Sequence, residues 1–94
     1  MTVNIFIPTV LRRYVQGKPE VQVNASDVEE ALVLLSVLYP EIRDYIFDDN
    51  RKLKRFINVF VNETNIRNLD GLQTGLAEGA NIALIPAIAG GSDE

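Results

Sequence analysis

The side chains that most often perform catalysis are scarce in this 94-residue chain. It contains no histidine and no cysteine, so it lacks the commonest general base, the commonest metal ligand and a thiolate nucleophile. Its serines, Ser26, Ser36 and Ser92, therefore have no histidine to activate them. Acidic pairs stand at 29–30 and 48–49, which a helix start and a solvated loop explain. We expect no catalytic residue, no bound metal and no bound cofactor.

The charged residues also limit the classes of partner. The chain has a formal net charge of −4, and its one basic cluster is RKLKR at 51–55. That cluster could contact an acidic partner or RNA, but a solvated loop explains it better, because so short a cluster gives little affinity for phosphates. No apolar run is long enough to span a bilayer, and MTVNIFIP lacks the basic flank of a signal peptide. We expect a cytoplasmic protein that binds neither nucleic acid nor membrane.

Glycines recur every four residues at Gly71, Gly75 and Gly79. No lysine followed by serine or threonine comes after them, so the spacing does not predict a phosphate-binding loop. We expect these glycines to occupy turn positions that require a positive φ.

The segment after Pro86 has the most distinctive chemistry, because AIAGG can extend neither a sheet nor a helix strongly. Fully extended, the residues from Ala87 to Gly91 span about 16 Å. Gly90 and Gly91 have no Cβ and fit a narrow channel in a partner's active site, and Ala89 precedes them in the same flexible segment. A terminal glycine carboxylate is unhindered and can attack the α-phosphate of a nucleotide to form an acyl adenylate. A frayed chain end is the alternative explanation.

The elements that must present this segment follow the order β-β-α-β-(β)-β. Alternating apolar residues predict strands at 2–8, 21–24, 56–62 and 82–86, with a short strand at 66–67. Ser26, three residues before Glu29, has the spacing of a capping box and predicts a helix that ends before Pro40. Its apolar residues extend beyond one stripe, so we expect burial on more than one side. A short second helix is expected at 40–47.

One helix covers only one face of such a sheet. The residues that alternate with the helix-facing ones point to the open face, and three of them are large and apolar: Phe6, Phe60 and Ile85. They form a patch there if their strands are neighbours. Exposed apolar patches usually mark interaction sites, although loops could cover this one. The residues expected to face the helix are Val3, Ile5, Ile7, Val21, Val23, Ile57, Val59, Val61, Ile82 and Leu84.

Three segments carry a family resemblance: IPTVLRRY, RFINVFVNETNIR and GLAEGANIALIPAIAGG. With them the chain, from Thr2 to Gly91, resembles the ubiquitin-like β-grasp sulfur carriers, such as the molybdopterin synthase small subunit and the thiamin sulfur carrier. Within this family it is most similar to the carriers of cysteine biosynthesis. The resemblance implies an α+β fold in which one long helix lies on one face of a mixed four- to five-stranded sheet. Residues 1–86 would form this domain, and 87–94 a flexible tail with a removable extension at 92–94.

The resemblance also implies a function. An E1-like adenylyltransferase would use ATP to adenylate Gly91, and sulfur would replace AMP to give a thiocarboxylate for a sulfur-accepting enzyme, such as a PLP-dependent cysteine synthase. Because Ser92 follows Gly91, a protease, such as a zinc enzyme of the JAMM type, would first cleave the bond between them. The resemblance implies that a partner contacts Phe60, Ile85, Pro86 and Ile88. We add Phe6, because it belongs to the same expected patch.

Other destinations and functions are compatible with these residues. Molybdopterin, thiamin or tRNA thiolation could receive the sulfur instead. A ubiquitin-like protein modifier would use the same adenylate with an amine as acceptor. A β-grasp interaction module would not need the tail at all.

Overall fold

The computed structural model describes residues 1–86. Within them the strands are β1 (Thr2–Phe6), β2 (Glu20–Asn24), β3 (Ile57–Val61), β4 (Thr64–Asn65) and β5 (Asn81–Pro86). They form a mixed five-stranded sheet with the order β2-β1-β5-β3-β4. The neighbours β1 and β5 are parallel, and the other neighbours are antiparallel. This arrangement confirms the predicted α+β fold.

The long helix α1 (Val28–Leu38) packs on one face of this sheet. The predicted second helix is present as a 3-10 turn (Pro40–Ile42) followed by α2 (Arg43–Ile46). The prediction that α1 is buried on more than one side is wrong, because Val33 and Val37 on its outer face are exposed. No helix within residues 1–86 is long and apolar enough to cross a membrane.

The start of α1 differs by one residue from the sequence-based expectation. Asp27, not Ser26, is the N-cap residue, and its side chain accepts a hydrogen bond from the Glu30 backbone N–H at 2.8 Å. The Glu30 carboxylate in turn accepts from the Ser26 N–H at 2.7 Å. The reciprocal bonding of a capping box is therefore formed by Asp27 and Glu30, since a carboxylate caps as well as a hydroxyl.

The core lies between the sheet and α1, and every residue expected to face the helix is buried. A 3-10 helix (Thr9–Val15), which periodicity did not predict, adds Leu11 and Val15 to this core. The short second helix adds Ile42 and Ile46. The apolar sides of these short segments thus close the core beside α1.

The short strand after β3 lies two residues earlier than expected, directly after a tight turn. Asn62 and Glu63 have φ values of 47° and 77°, the left-handed region that tight hairpin turns require. The short strand is Thr64–Asn65, whereas Ile66, expected in a strand, begins a 3-10 turn. The cause is local, because the Asn65 side chain accepts a hydrogen bond from the Arg67 backbone N–H at 2.9 Å and bends the chain there.

Candidate functional site

An apolar patch crosses the face of the sheet opposite α1. Phe6 and Phe60 are both in register with Ala83 of β5, one from β1 and the other from β3. Ile85 lies two residues farther along β5 on the same face. Phe6 is 42% exposed and Ile85 46% exposed, so residues 1–86 leave this face open. The expected patch therefore exists, and we name Phe6, Phe60, Ala83 and Ile85 the open-face patch.

A polar row borders the open-face patch. The Gln22 amide donates to the Asn4 side-chain oxygen at 2.8 Å, and the Asn4 amide donates to that of Asn81 at 3.3 Å. The Asn62 side chain accepts from the Asn81 backbone N–H at 3.0 Å. The polar side chains of this row are therefore hydrogen-bonded within the row. A shallow depression of about 550 Å³ extends from this border across the patch.

The open-face patch is connected to the tail by β5 itself. Pro86, the last residue of β5, is half-buried and is in register with Ile57. Alternate residues of a strand lie on the same face, so Pro86 is on the face of the core residues Ile82 and Leu84 and is not part of the patch. We call this edge of the sheet, where β5 ends and β3 begins, the tail-exit end.

The remaining predicted site residues lie outside the described residues. They are Ile88, Ala89, Gly90, Gly91 and Ser92. Their assigned roles stay predictions, as do the partner contacts of Phe6, Phe60, Ile85 and Pro86.

The polar residues considered for catalysis have structural partners. The Ser36 hydroxyl is buried and donates to the Leu32 carbonyl at 3.0 Å. Glu30 and Asp27 cap α1, and the Glu29 carboxylate accepts from the Gln73 side chain at 3.2 Å. Among residues 1–86 no cluster of acidic side chains is arranged to hold a metal ion. These side chains therefore have structural roles in the fold.

Asp48 organises the basic loop. Its carboxylate accepts hydrogen bonds from the backbone N–H groups of Lys52 at 3.0 Å and Asn50 at 2.8 Å. These bonds, with the Lys52 bond contributing most, hold the pKa of Asp48 below its ordinary value. Phe47 and Leu53 pair across the loop as an isolated bridge. The segment 48–52 is therefore a defined turn and not only a solvated charge run.

The glycine prediction is correct at two positions and wrong at one. Gly71 and Gly79 have φ values of 60° and 80°. Gly75 has no positive φ and instead pairs with Asp27 in an isolated bridge that joins its loop to the start of α1.

Sequence reasoning missed two features near the site. Ala83, at the centre of the open-face patch, is two residues before Ile85 and so lies on the same face of β5. The alternation of β5 could therefore have identified Ala83 as a patch residue. The rings of Tyr14 and Tyr45 stack with centroids 4.4 Å apart, and their hydroxyl groups are 2.7 Å apart. This hydrogen bond raises the pKa of Tyr45. No local pattern predicts that pair, because it joins the unpredicted 3-10 helix to α2.

Comparison with known proteins identifies the family. The sequence profile of the ThiS family matches residues 5–91. The sulfur carrier protein CysO of Mycobacterium tuberculosis (strain ATCC 25618 / H37Rv) is 33% identical over 93 residues, covering 97% of this chain and 100% of that protein. A chain in the crystal structure of the Amycolatopsis orientalis BexX/CysO complex is 32% identical with a TM-score of 0.87, covering 95% of this chain and 99% of that one.

A third similar protein is SAMP1 from Haloferax volcanii, whose crystal structure has a TM-score of 0.84 at 26% identity and covers 97% of this chain and 100% of that one. The family profile includes both the open-face patch and Gly91. The patch and tail thus lie within the matched region, and the chain belongs to the ThiS family of ubiquitin-like sulfur carriers.

Proposed function

We propose that this chain carries sulfur as a thiocarboxylate on Gly91 and delivers it to cysteine biosynthesis. The observation that supports this most is that the ThiS family profile ends at residue 91, six positions after the patch residue Ile85. The β-grasp domain, residues 1–86, would dock on a partner, and residues 87–91 would reach the partner's reaction centre. The carrier itself would have no catalytic activity.

The chemistry begins with release of the Gly91 carboxylate. Ser92 follows Gly91, so the carbonyl group is an amide and is not a nucleophile toward ATP. Hydrolysis of the Gly91–Ser92 bond consumes one water and leaves the carboxylate on Gly91. We propose that a protease, such as a JAMM-type zinc enzyme, performs this step. The end of the family match at residue 91 supports the position of the cut.

Activation and sulfur transfer follow on the partner enzyme. A Gly91 carboxylate oxygen attacks the α-phosphorus of ATP, and pyrophosphate leaves. Hydrosulfide, or a sulfur donor equivalent to it, then attacks the acyl carbon and AMP leaves, so the sulfur remains as a thiocarboxylate. This chain contributes an unhindered acyl group and the surface that positions it, while the E1-like enzyme binds ATP. These ATP-dependent steps fit a cytoplasmic location.

The sulfur acceptor is assigned by resemblance. The segments IPTVLR, RFINVFVN and LIPAIAGG are similar to those of the cysteine-biosynthesis carriers, which favours a PLP-dependent cysteine synthase as the acceptor. Molybdopterin, thiamin and tRNA thiolation are the alternative destinations. Incubating the thiocarboxylate form with each candidate acceptor enzyme, and detecting the sulfur-containing product, distinguishes them.

A second candidate function is protein modification. The similarity to SAMP1, a small archaeal modifier protein, favours it, with a TM-score of 0.84. The adenylate would be the same, but a lysine amine would displace AMP and form an isopeptide bond. Mass spectrometry of the chain from cells separates the outcomes: a carrier exchanges one oxygen for sulfur, whereas a modifier gives a ladder of conjugates.

The decisive substitution is Gly91→Ala. A carrier or modifier is expected to lose activation, because the added Cβ obstructs a channel that fits glycine. An interaction module whose tail has no role would retain its function in this variant.

A further inference from the structure

Basic residues gather at the tail-exit end of the sheet. The parallel pairing of β1 and β5 brings their carboxyl ends to one edge, and the register of Ile57 with Pro86 brings the start of β3 there as well. The 3-10 helix Thr9–Val15 follows β1, and the basic cluster precedes β3. We define the basic rim as Arg12, Arg13, Lys54 and Arg55.

The basic rim is held by defined contacts. The Arg12 guanidinium donates through Nε to the Ile7 carbonyl at 3.0 Å. The Lys54 backbone N–H donates to the Ile46 carbonyl at 2.8 Å, and the Lys54 carbonyl accepts from the Ile57 backbone N–H at 3.1 Å. Lys54 Nζ lies 6.0 Å from the centroid of the exposed Phe56 ring. These contacts fix the backbone at Lys54 and the side chain of Arg12 at the tail-exit end.

The opposite end of the sheet is acidic. The helix α1 starts there, after β2, with Asp27, Glu29 and Glu30 in its cap and first turn. Glu63 lies in the turn after β3, and the Glu78 carboxylate accepts from the Thr2 N–H at 3.0 Å. Carboxylates also lie near the rim: Glu20 is opposite Phe6, and Asp48, in the loop before β3, interacts with Lys54. The folded part is therefore polarised along the direction of its strands, although the chain has a net charge of −4.

We propose that the basic rim docks on an acidic protein surface around the cleft through which the activating enzyme receives the tail. The inference rests on the proposed function and adds the chemistry of the partner surface. Arg12 of the rim binds the carbonyl of Ile7, the residue after Phe6 of the open-face patch, so one contact would bury apolar area in its centre and pair charges at its border. The polarised charge would turn the tail-exit end toward such a surface before contact.

The occupant is a protein surface and not the phosphates of ATP. In an extended tail the reacting carboxylate of Gly91 lies up to about 16 Å beyond Pro86. That distance exceeds the screening length of about 8 Å at physiological salt. Rim cations therefore act on what surrounds the entrance of the cleft, and only weakly on the nucleotide bound at its end.

Charge reversal with a matched control tests the proposal. Association of the full chain with the purified E1-like enzyme of the same organism is followed by stopped flow at low and high salt, for Arg55→Glu and for Arg67→Glu. Both residues are exposed and both changes alter the net charge equally, but Arg67 lies past β4, beside the other end of β3. Steering contributes about 10- to 1,000-fold to association rates, so we expect Arg55→Glu to slow association about 3- to 10-fold at low salt.

The expected pattern has three further parts. Arg67→Glu changes the rate less than about twofold, high salt removes the difference, and Arg55→Lys restores the rate. Equal rates for the two reversals overturn the proposal. An Arg55→Glu variant whose association is normal but whose KM for ATP is raised also overturns it, in favour of a phosphate contact.

A separate readout distinguishes this failure from failure of the proposed function. Formation of the adenylate is measured on the wild-type chain after hydrolysis at Gly91. Association that Arg55→Glu slows as expected, but that yields no adenylate, overturns the proposed function and leaves the docking surface supported. Normal adenylation, with an Arg55→Glu association rate that is unchanged, overturns the docking surface alone.

Discussion

Replacing Ile85 by serine tests whether the open-face patch is the docking surface of the carrier. Ile85 is 46% exposed, so about half of its side chain already contributes to the fold and the rest is available to a partner. Full burial of such a side chain contributes about 1.5–3 kcal/mol. A partner that covers it completely therefore gains about 0.7–1.5 kcal/mol, and the fold loses a similar amount on substitution.

These energies predict a measurable loss of affinity with the fold retained. Since 1.4 kcal/mol corresponds to about tenfold, the Kd for the activating enzyme is expected to rise about 3- to 10-fold. Isothermal titration of the full chain gives this Kd. Urea unfolding of the same variant checks that its free energy of unfolding falls by only about 0.7–1.5 kcal/mol.

Val37→Ser is the matched control. Val37 is also β-branched and is 68% exposed, but it lies on the outer face of α1, on the opposite side of the sheet. We expect its Kd to equal that of the wild type. An unchanged Kd for folded Ile85→Ser, or an equal loss for Val37→Ser, would refute the assignment of the docking surface to the open-face patch.

Three other predictions concern local structure. Asp27→Ala is expected to lower the free energy of unfolding in urea by about 0.5–2 kcal/mol, because the Asp27 carboxylate caps α1. Ser26→Ala should have little effect, since Ser26 contributes its backbone N–H to the cap and not its hydroxyl. A stability change that follows Ser26 instead would contradict the cap assignment. The pKa of Asp48 is lowered in the folded state, so the ionised carboxylate stabilises the loop 48–52 at pH values above the ordinary carboxyl pKa. This stabilisation is lost as the pH falls through the folded pKa. An NMR titration in which Asp48 protonates at or above the ordinary value would disprove this. Glu63→Gly should raise stability by up to about 1–2 kcal/mol, because φ at Glu63 is 77° and L side chains are strained there, and thermal unfolding that shows no gain would argue against the left-handed turn.

Much of the fold could be predicted from local patterns. Alternation in β1, β3 and β5 identified which parity faces the helix, because a buried face and an exposed face leave a period of two in the sequence. The same parity identified Phe6, Phe60 and Ile85, and the strand order then showed that they are neighbours. The open-face patch was thus predictable once β1, β5 and β3 were assumed to be adjacent.

The features that were missed depend on contacts between distant segments. The 3-10 helix Thr9–Val15 buries only Leu11 and Val15, which is too sparse a pattern to show a period. The Tyr14–Tyr45 contact then depends on where that helix lies. The charge polarity likewise appears only when parallel pairing brings the ends of β1 and β5 together, since the basic residues are separated by about half the chain.

We propose that the acyl group of Gly91 is the working part of this protein. The intact mass of a chain hydrolysed after Gly91, and incubated with the E1-like enzyme of the same organism, ATP and sulfide, tests this proposal. We expect a product in which one oxygen has been replaced by sulfur, formed only with ATP and absent for Gly91→Ala. An unchanged mass under conditions in which the enzyme activates another carrier would contradict it.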